Sequence, residues 1–420
     1  MKKYLYLFAM CLAVMGCGHK NQENSLAEYP VVLNNENGAP GKRVESVSVV
    51  DFEVNESWMY TDYSSWLTKT SDRWVLVNPN MGSVTAYPDG IIHERGNDML
   101  LMYDHKGKMK SQRHLSGRGP GEVVSIENLF SVGDKVYIYD SSEEKLVGFD
   151  KEGKHISTFR NEGSDEAVFK IGSEYIGLNP RGEHYVNVYD QKGNLKGSHF
   201  ESDAFFRGLS LSNGSLPAYY IHKDCVRFMR SCDYTIYSYS NDTVIPAFEF
   251  VTDNAIPESL HSTEQFFTAG GQSLHYVNAV QFMAEVMKGG YDHGFSSLSE
   301  TENYLYFQYY SKGTRICLFD KRDGSLYKQS STYLDYYDET DYSVKTADDA
   351  WNYLFSAANP RYSDDDCIYF VLRVESFNIL KKIPVGADKR LAAFISDGQQ
   401  YMAGNSLSEG DIIFIRMDFK

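Results

Sequence analysis

One short pattern recurs along this chain and limits what it can fold into. An apolar segment ends in Asp, a turn containing Gly follows, and a second apolar residue resumes. The copies are Leu101-Met102-Tyr103-Asp104-His105-Lys106-Gly107, Val147-Gly148-Phe149-Asp150-Lys151-Glu152-Gly153, Val188-Tyr189-Asp190-Gln191-Lys192-Gly193 and Cys317-Leu318-Phe319-Asp320-Lys321-Arg322-Asp323-Gly324. A looser copy surrounds Asp242. Asp bonds nearby backbone N–H groups and Gly reaches positive φ without steric cost, so each copy predicts a β-hairpin. Successive aspartates from Asp104 to Asp150, Asp190 and Asp242 stand 46, 40 and 52 residues apart. That spacing is the period of a four-stranded propeller blade, about 40–50 residues.

The spacing predicts an all-β fold, a β-propeller of six blades, each a four-stranded antiparallel sheet, with short helical insertions. Seven blades is the nearest rival count. From Asp242 to Asp320 is 78 residues, which predicts an insertion over about 253–302 with a short helix from Leu274 to Met287. A second helix is expected to begin at Thr346, with Asp348 and Asp349 in its first turn. The last strand, Asp411 to Met417, is expected to close the ring against an early strand near Val44 to Phe52.

The N-terminus has the form of an export signal. Lys2 and Lys3 precede an apolar run from Tyr4 to Met15 that is too short to span a bilayer, which takes about 20 residues. The run ends at Val14-Met15-Gly16-Cys17. This resembles the lipobox of bacterial lipoproteins, although Met15 replaces the usual small residue, and the resemblance implies lipid attachment at Cys17. The expected organisation is a signal peptide at 1–16, a lipidated tether at 17–40 and one propeller domain at 41–420. The chain would then be held in the envelope, on the periplasmic side of the outer membrane, with membrane contact only through its lipid.

The formal charge moves from −16 to −18 when Lys2 and Lys3 leave with the signal. Such a chain repels phosphate backbones, which argues against a nucleic-acid partner. An oxidising envelope permits disulfides. Cys225 and Cys232, however, read as parts of one extended strand, too far apart to bridge. Free, buried thiols are the expectation for these two and for Cys317 and Cys367, although a Cys317–Cys367 bridge stays open.

A second motif, Gly117-Arg118-Gly119-Pro120-Gly121-Glu122, follows the first hairpin. Together with the blade rhythm it resembles the six-bladed propeller lipoproteins of the TolB-like and NHL-like type, over about residues 72–200. On residue chemistry the loop reads as a connection between blades, in which Arg118 and Glu122 make charge-assisted bonds. It lacks the lysine and helix start of a phosphate-binding loop.

Catalytic signatures do not emerge. HExxH, GxSxG and calcium-loop patterns are missing, no cofactor or metal is implied, and Asp364-Asp365-Asp366 reads as an exposed turn. Lys106, Lys108 and Lys110 read as a protected strand edge. Tyr333, Asp335, Tyr336, Tyr337 and Asp338 form a Tyr/Asp-rich patch suited to holding sugars or polar peptides. The expected function is a non-catalytic binding or scaffold propeller for an envelope protein, peptide or glycan. The alternative is a propeller hydrolase or lyase acting on a polar substrate in the central channel, its residues drawn from several blades.

Overall fold

The computed structural model describes residues 27–34, 37–54, 66–78, 84–87, 90–93, 98–161, 163, 165–213, 218–261, 267–269, 275–331 and 346–420. Six antiparallel sheets follow one another round a ring, five of them four-stranded and one, the fourth blade, carrying a fifth strand that is parallel. Their inner strands are Trp66–Lys69, Ile126–Val132, Ala167–Ile171, Ala218–His222, His293–Glu300 and Asn359–Ser363. The protein is therefore a six-bladed β-propeller, as the aspartate spacing predicts.

The recurrent aspartates do what their chemistry suggests. Asp104 Oδ1 accepts from the backbone N–H groups of Lys106 (2.9 Å) and Lys108 (3.0 Å). Asp150 repeats this with Glu152 and Lys154, and Asp190 with Lys192 and Asn194. Each hairpin joins the third and fourth strands of its blade. At the looser copy, Asn241 and Asp242 both have positive φ, the conformation of a two-residue type I′ turn.

The core lies between blades rather than inside them. Middle strands such as Lys135–Asp140 and Lys145–Asp150 are buried along nearly their whole length, whereas the outer strand His155–Arg160 largely alternates. A middle strand is covered on both faces by neighbouring blades, so both sets of side chains are apolar. Phe52, Trp74, Tyr103, Tyr369 and Phe414 fill the seam between the first and sixth blades.

The ring closes through the N-terminus. Val44–Val49 pairs antiparallel with Ile412–Phe419, in the register Val44↔Phe419, Val47↔Met417 and Val49↔Ile415, and supplies the outer strand of the sixth blade. Part of the segment expected as a tether, 17–40, packs on the ring. Tyr29–Val32 already forms a parallel strand on Thr243–Val251 of the fourth blade, because Val31 and Leu33 bury fully and Tyr29 stacks on Phe248 at 5.1 Å. The chain then bonds the fifth blade through Asn37 N to Leu326 O and Lys328 N to Gly38 O. It reaches the first blade through Glu53 N to Gly107 O. A single strap thus runs over four blade edges.

The first-to-second and third-to-fourth strand turns gather at one end of the ring, the hairpin end. Insertions gather at the other. They include helices Ala204–Asn213, Glu258–His261, Ala279–Gly289 and Ala347–Ala357, and the pair Val374–Leu380 and Lys389–Asn405. The helix expected from Leu274 starts instead at Ala279, capped by the Asn278 side chain. Residues 293–300, the C-terminal part of the expected insertion, form the inner strand of the fifth blade. Thr346 caps its helix in a reciprocal capping box with Asp349. The four cysteines are free. The strand from Cys225 ends at Met229, and Cys232 lies in a turn closed by Asp233 N to Arg230 O, so Cys225 and Cys232 do not share one strand. Both are only partly buried.

Removing residues 1–49 should leave the edge of Ile412–Phe419 unpaired. Calorimetry is expected to show a lower, broader transition than for the full chain, and size-exclusion chromatography some edge-to-edge association.

Candidate functional site

The six inner strands run in the same direction about the axis, so their C-terminal ends converge on the hairpin end. They enclose a channel of about 410 Å³ to which all six blades contribute, among them Trp66, Asn128, Phe169, His222, Glu300 and Asp364. Of its charged residues, His222, Lys223, Glu300, Asp364 and Asp365 lie at or just beyond these strand ends, and Arg361 lies within the sixth inner strand.

Glu300 is the centre of that mouth. Its side chain is 1% exposed and is surrounded by donors. Tyr220 Oη donates at 2.9 Å, Arg227 Nε at 3.2 Å and Lys321 Nζ at 3.1 Å, while His222 Nε2 lies 3.5 Å away. Burying a carboxylate is costly unless it is paired and hydrogen-bonded, and two cations and a phenol meet that need. The group also fastens the fourth blade to the fifth. Burial lowers the pKa of His222, an effect that Glu300 opposes and that Lys321, Arg227 and Lys223 reinforce. Burial and the nearby Glu300 carboxylate push the Tyr220 phenol well above its usual range.

Two further ion pairs cross between blades here. Lys69 Nζ meets Asp364 Oδ2 at 2.7 Å, joining the first blade to the sixth, and Lys223 meets Glu302. Deeper in the channel the wall carries Arg361, from the inner strand of the sixth blade, among polar and aromatic residues. Thr68 Oγ1 donates to Ser131 Oγ at 3.2 Å, and the Ser131 hydroxyl bonds the Lys69 carbonyl. Asn128, three residues before Ser131 on the same strand, is 4% exposed, and neither Nδ2 nor Oδ1 has a partner. On the flank of the channel, burial raises the pKa of Glu127, partly offset by a 3.4 Å bond from Tyr219 Oη. Among the described residues no group of three or more His, Cys, Asp or Glu is arranged to hold a metal ion.

The motif loop singled out in the sequence lies elsewhere. Gly117 to Glu122 connects the outer strand of the first blade to the inner strand of the second, at the insertion end, away from the channel wall. Gly119 N donates to Glu122 Oε2 at 2.8 Å, and Arg118 Nε meets Glu143 at 3.0 Å on the second blade. Gly117 has φ +152°, and a Cβ there would fall 1.9 Å from Glu122 Oε2, so a side chain at that position would displace the loop's own carboxylate. Cys17 and the patch Tyr333, Asp335, Tyr336, Tyr337 and Asp338 lie outside the described residues. Glu300, His222 and Asn128 escaped sequence reasoning because they come from three different blades. Their one local signal is a polar residue within or ending an inner strand, as in His222-Lys223-Asp224 and Glu300-Thr301-Glu302.

The sequence matches the family described as DUF5128, 6-bladed beta-propeller, over residues 69–353. The chain belongs to this family. Among solved structures, it is similar to a Bacteroides fragilis NCTC 9343 protein described as a candidate exported protein. The TM-score is 0.64 at 14% identity, covering 93% of this chain and 100% of that one. A DUF4221 family member from Bacteroides vulgatus ATCC 8482 aligns with TM-score 0.43 at 10% identity, over 90% of this chain and 99% of the other. No protein of curated function matches the DUF5128 chain.

Because the folded state holds His222 below its ordinary value of 6.5, only the unfolded chain gains a proton there as the pH first falls below that value. Stability therefore drops as the medium acidifies. His261, lowered mainly by burial, acts in the same direction. The melting temperature of the wild type is expected to fall between pH 7.5 and 5.5, and that of His222→Gln to fall less. Glu300→Ala, which leaves Arg227 and Lys321 buried without their carboxylate, should cost about 3–5 kcal/mol in denaturant titrations.

Proposed function

We propose that this DUF5128 chain is an exported lipoprotein of the TolB-like and NHL-like type. Anchored through Cys17 on the periplasmic side of the outer membrane, it acts as a non-catalytic binding scaffold for a protein, peptide or glycan. One observation carries the binding reading. The ionisable side chains at the channel mouth are largely engaged with one another, and Glu300 already accepts three hydrogen bonds. A carboxylate acting as base or nucleophile must present a lone pair to its substrate. The candidate export signal and the similarity to a protein described as exported support the location.

A second reading, a hydrolase or lyase, has the His222–Glu300 contact in its favour. A neutral imidazole beside a buried carboxylate is the arrangement of an oriented general base.

One set of measurements separates them. The full-length chain is screened against saccharides and peptides, following melting temperature and, by mass spectrometry, product. Stabilisation of unaltered ligand is the expected result. Turnover that disappears in His222→Gln would replace binding with the second reading. Separately, Cys17→Ser is expected to shift the chain from the membrane to the soluble fraction. An unchanged distribution would remove the lipid anchor from the proposal.

A further inference from the structure

We infer that Tyr29, the first residue of the strap strand Tyr29–Val32, is a positioning residue for the channel mouth. Through Arg227 and Lys321 it holds the Glu300 group in place beside His222, so that docking of the strap and the state of the mouth are linked. The link goes beyond the binding reading above and stands whatever the channel accepts.

Two routes of contact run from the strap to Glu300. On the first, the Tyr29 ring stacks on Phe248 of the fourth blade at 5.1 Å. The Arg227 guanidinium lies 5.8 Å from the centre of the Phe248 ring, and Arg227 Nε donates to Glu300 at 3.2 Å. On the second, Lys321 Nζ lies 5.8 Å from the centre of the Tyr29 ring itself and donates to Glu300 at 3.1 Å. Tyr29 also meets Phe319 edge-on at 6.4 Å, two residues before Lys321 in the fifth blade. The strap residue thus closes the seam between the fourth and fifth blades from outside the ring, while Glu300 closes it from the channel.

The cations between these two closures are nearly out of water. The Arg227 and Lys321 side chains are 9% and 7% exposed, and an aromatic face attracts a desolvated cation more strongly than an exposed one. Removing the Tyr29 ring takes away one face and uncovers the other. Water then reaches both cations, and their fields at the mouth weaken. His222 reads out that change, because its imidazole is within electrostatic reach of Glu300, Lys321, Arg227, Lys223 and Glu302. Burial and the three cations hold its pKa below 6.5 against the pull of Glu300, so admitting water relaxes it upward. Such a link is reciprocal. An occupant of the channel that competes for the donors on Glu300 releases Arg227 and Lys321, and the strap loosens in turn.

The experiment follows the His222 imidazole by NMR titration of the full-length chain in wild type, Tyr29→Phe and Tyr29→Ala. His261, in a helix at the insertion end and lowered mainly by its own burial, is the reference. Phenylalanine keeps the ring, so Tyr29→Phe should titrate as the wild type does. In Tyr29→Ala the His222 value is expected to rise toward 6.5 while His261 stays where it was. An unchanged His222 in Tyr29→Ala overturns the inference. A rise in both histidines also overturns it, since Tyr29 would then be a general packing residue. A rise in Tyr29→Phe equal to that in Tyr29→Ala overturns the route through the ring and assigns the effect to the phenol. The reverse direction uses Lys321→Met, which removes the cation and keeps an apolar stem. Hydrogen exchange of the Leu33 amide, bonded to Val251 O at 2.8 Å, should quicken, with the amides of Val44–Val49 unchanged. Wild-type exchange at Leu33 would overturn the link, because coupling between two sites acts both ways.

Discussion

Each blade of this protein is apolar on both faces, and the rest of the structure follows from that constraint. Strands such as Lys135–Asp140 bury nearly every residue, so no blade can stand at the edge of a stack with one face in water. A ring removes the problem by giving every blade two neighbours. Closing the ring then requires the first and last blades to meet, which Phe52, Trp74, Tyr369 and Phe414 accomplish in their shared seam. It also requires a joint between chain ends, supplied by Val44–Val49 on Ile412–Phe419. The strap ahead of that joint pairs along the fourth blade and bonds the edge of the fifth, and the residues after it reach the first, covering strand edges that would otherwise invite association.

The same ring geometry produces the site. Inner strands pointing the same way bring their last residues to a common mouth, where charges from separate blades find one another. Glu300 with Tyr220, Arg227 and Lys321, and Lys69 with Asp364, are at once fastenings between blades and the lining of the channel. Asn128, in the same channel wall, keeps both its polar atoms buried without a protein partner. The insertions collect at the opposite end, where the connections between blades tolerate added helices without disturbing the ladders.

Much of this was legible in the chain. Asp104, Asp150 and Asp190 announced their hairpins because the side chain that specifies the turn also makes its bonds, within four residues. Thr346 announced a helix start for the same reason. The strand from Tyr29 was harder to see. Tyr29-Pro30-Val31-Val32-Leu33 is short and apolar but follows polar sequence, and its partner Thr243–Val251 is more than two hundred residues away. The helix expected from Leu274 was displaced to Ala279 by the cap that Asn278 provides.

What the sequence by itself determined is the fold class, the blade period and the closing strand, because these rest on local turn chemistry and on apolar patterning repeated along the chain. What only the tertiary structure decided is the channel. Asn128, His222 and Glu300 belong to three blades, and nothing near any of them in the chain specifies the others. Their relation arises from the curvature of the ring, which turns distant strand ends toward one axis. There, exclusion of water gives an unpaired amide and a paired carboxylate a significance that neither has in the extended chain.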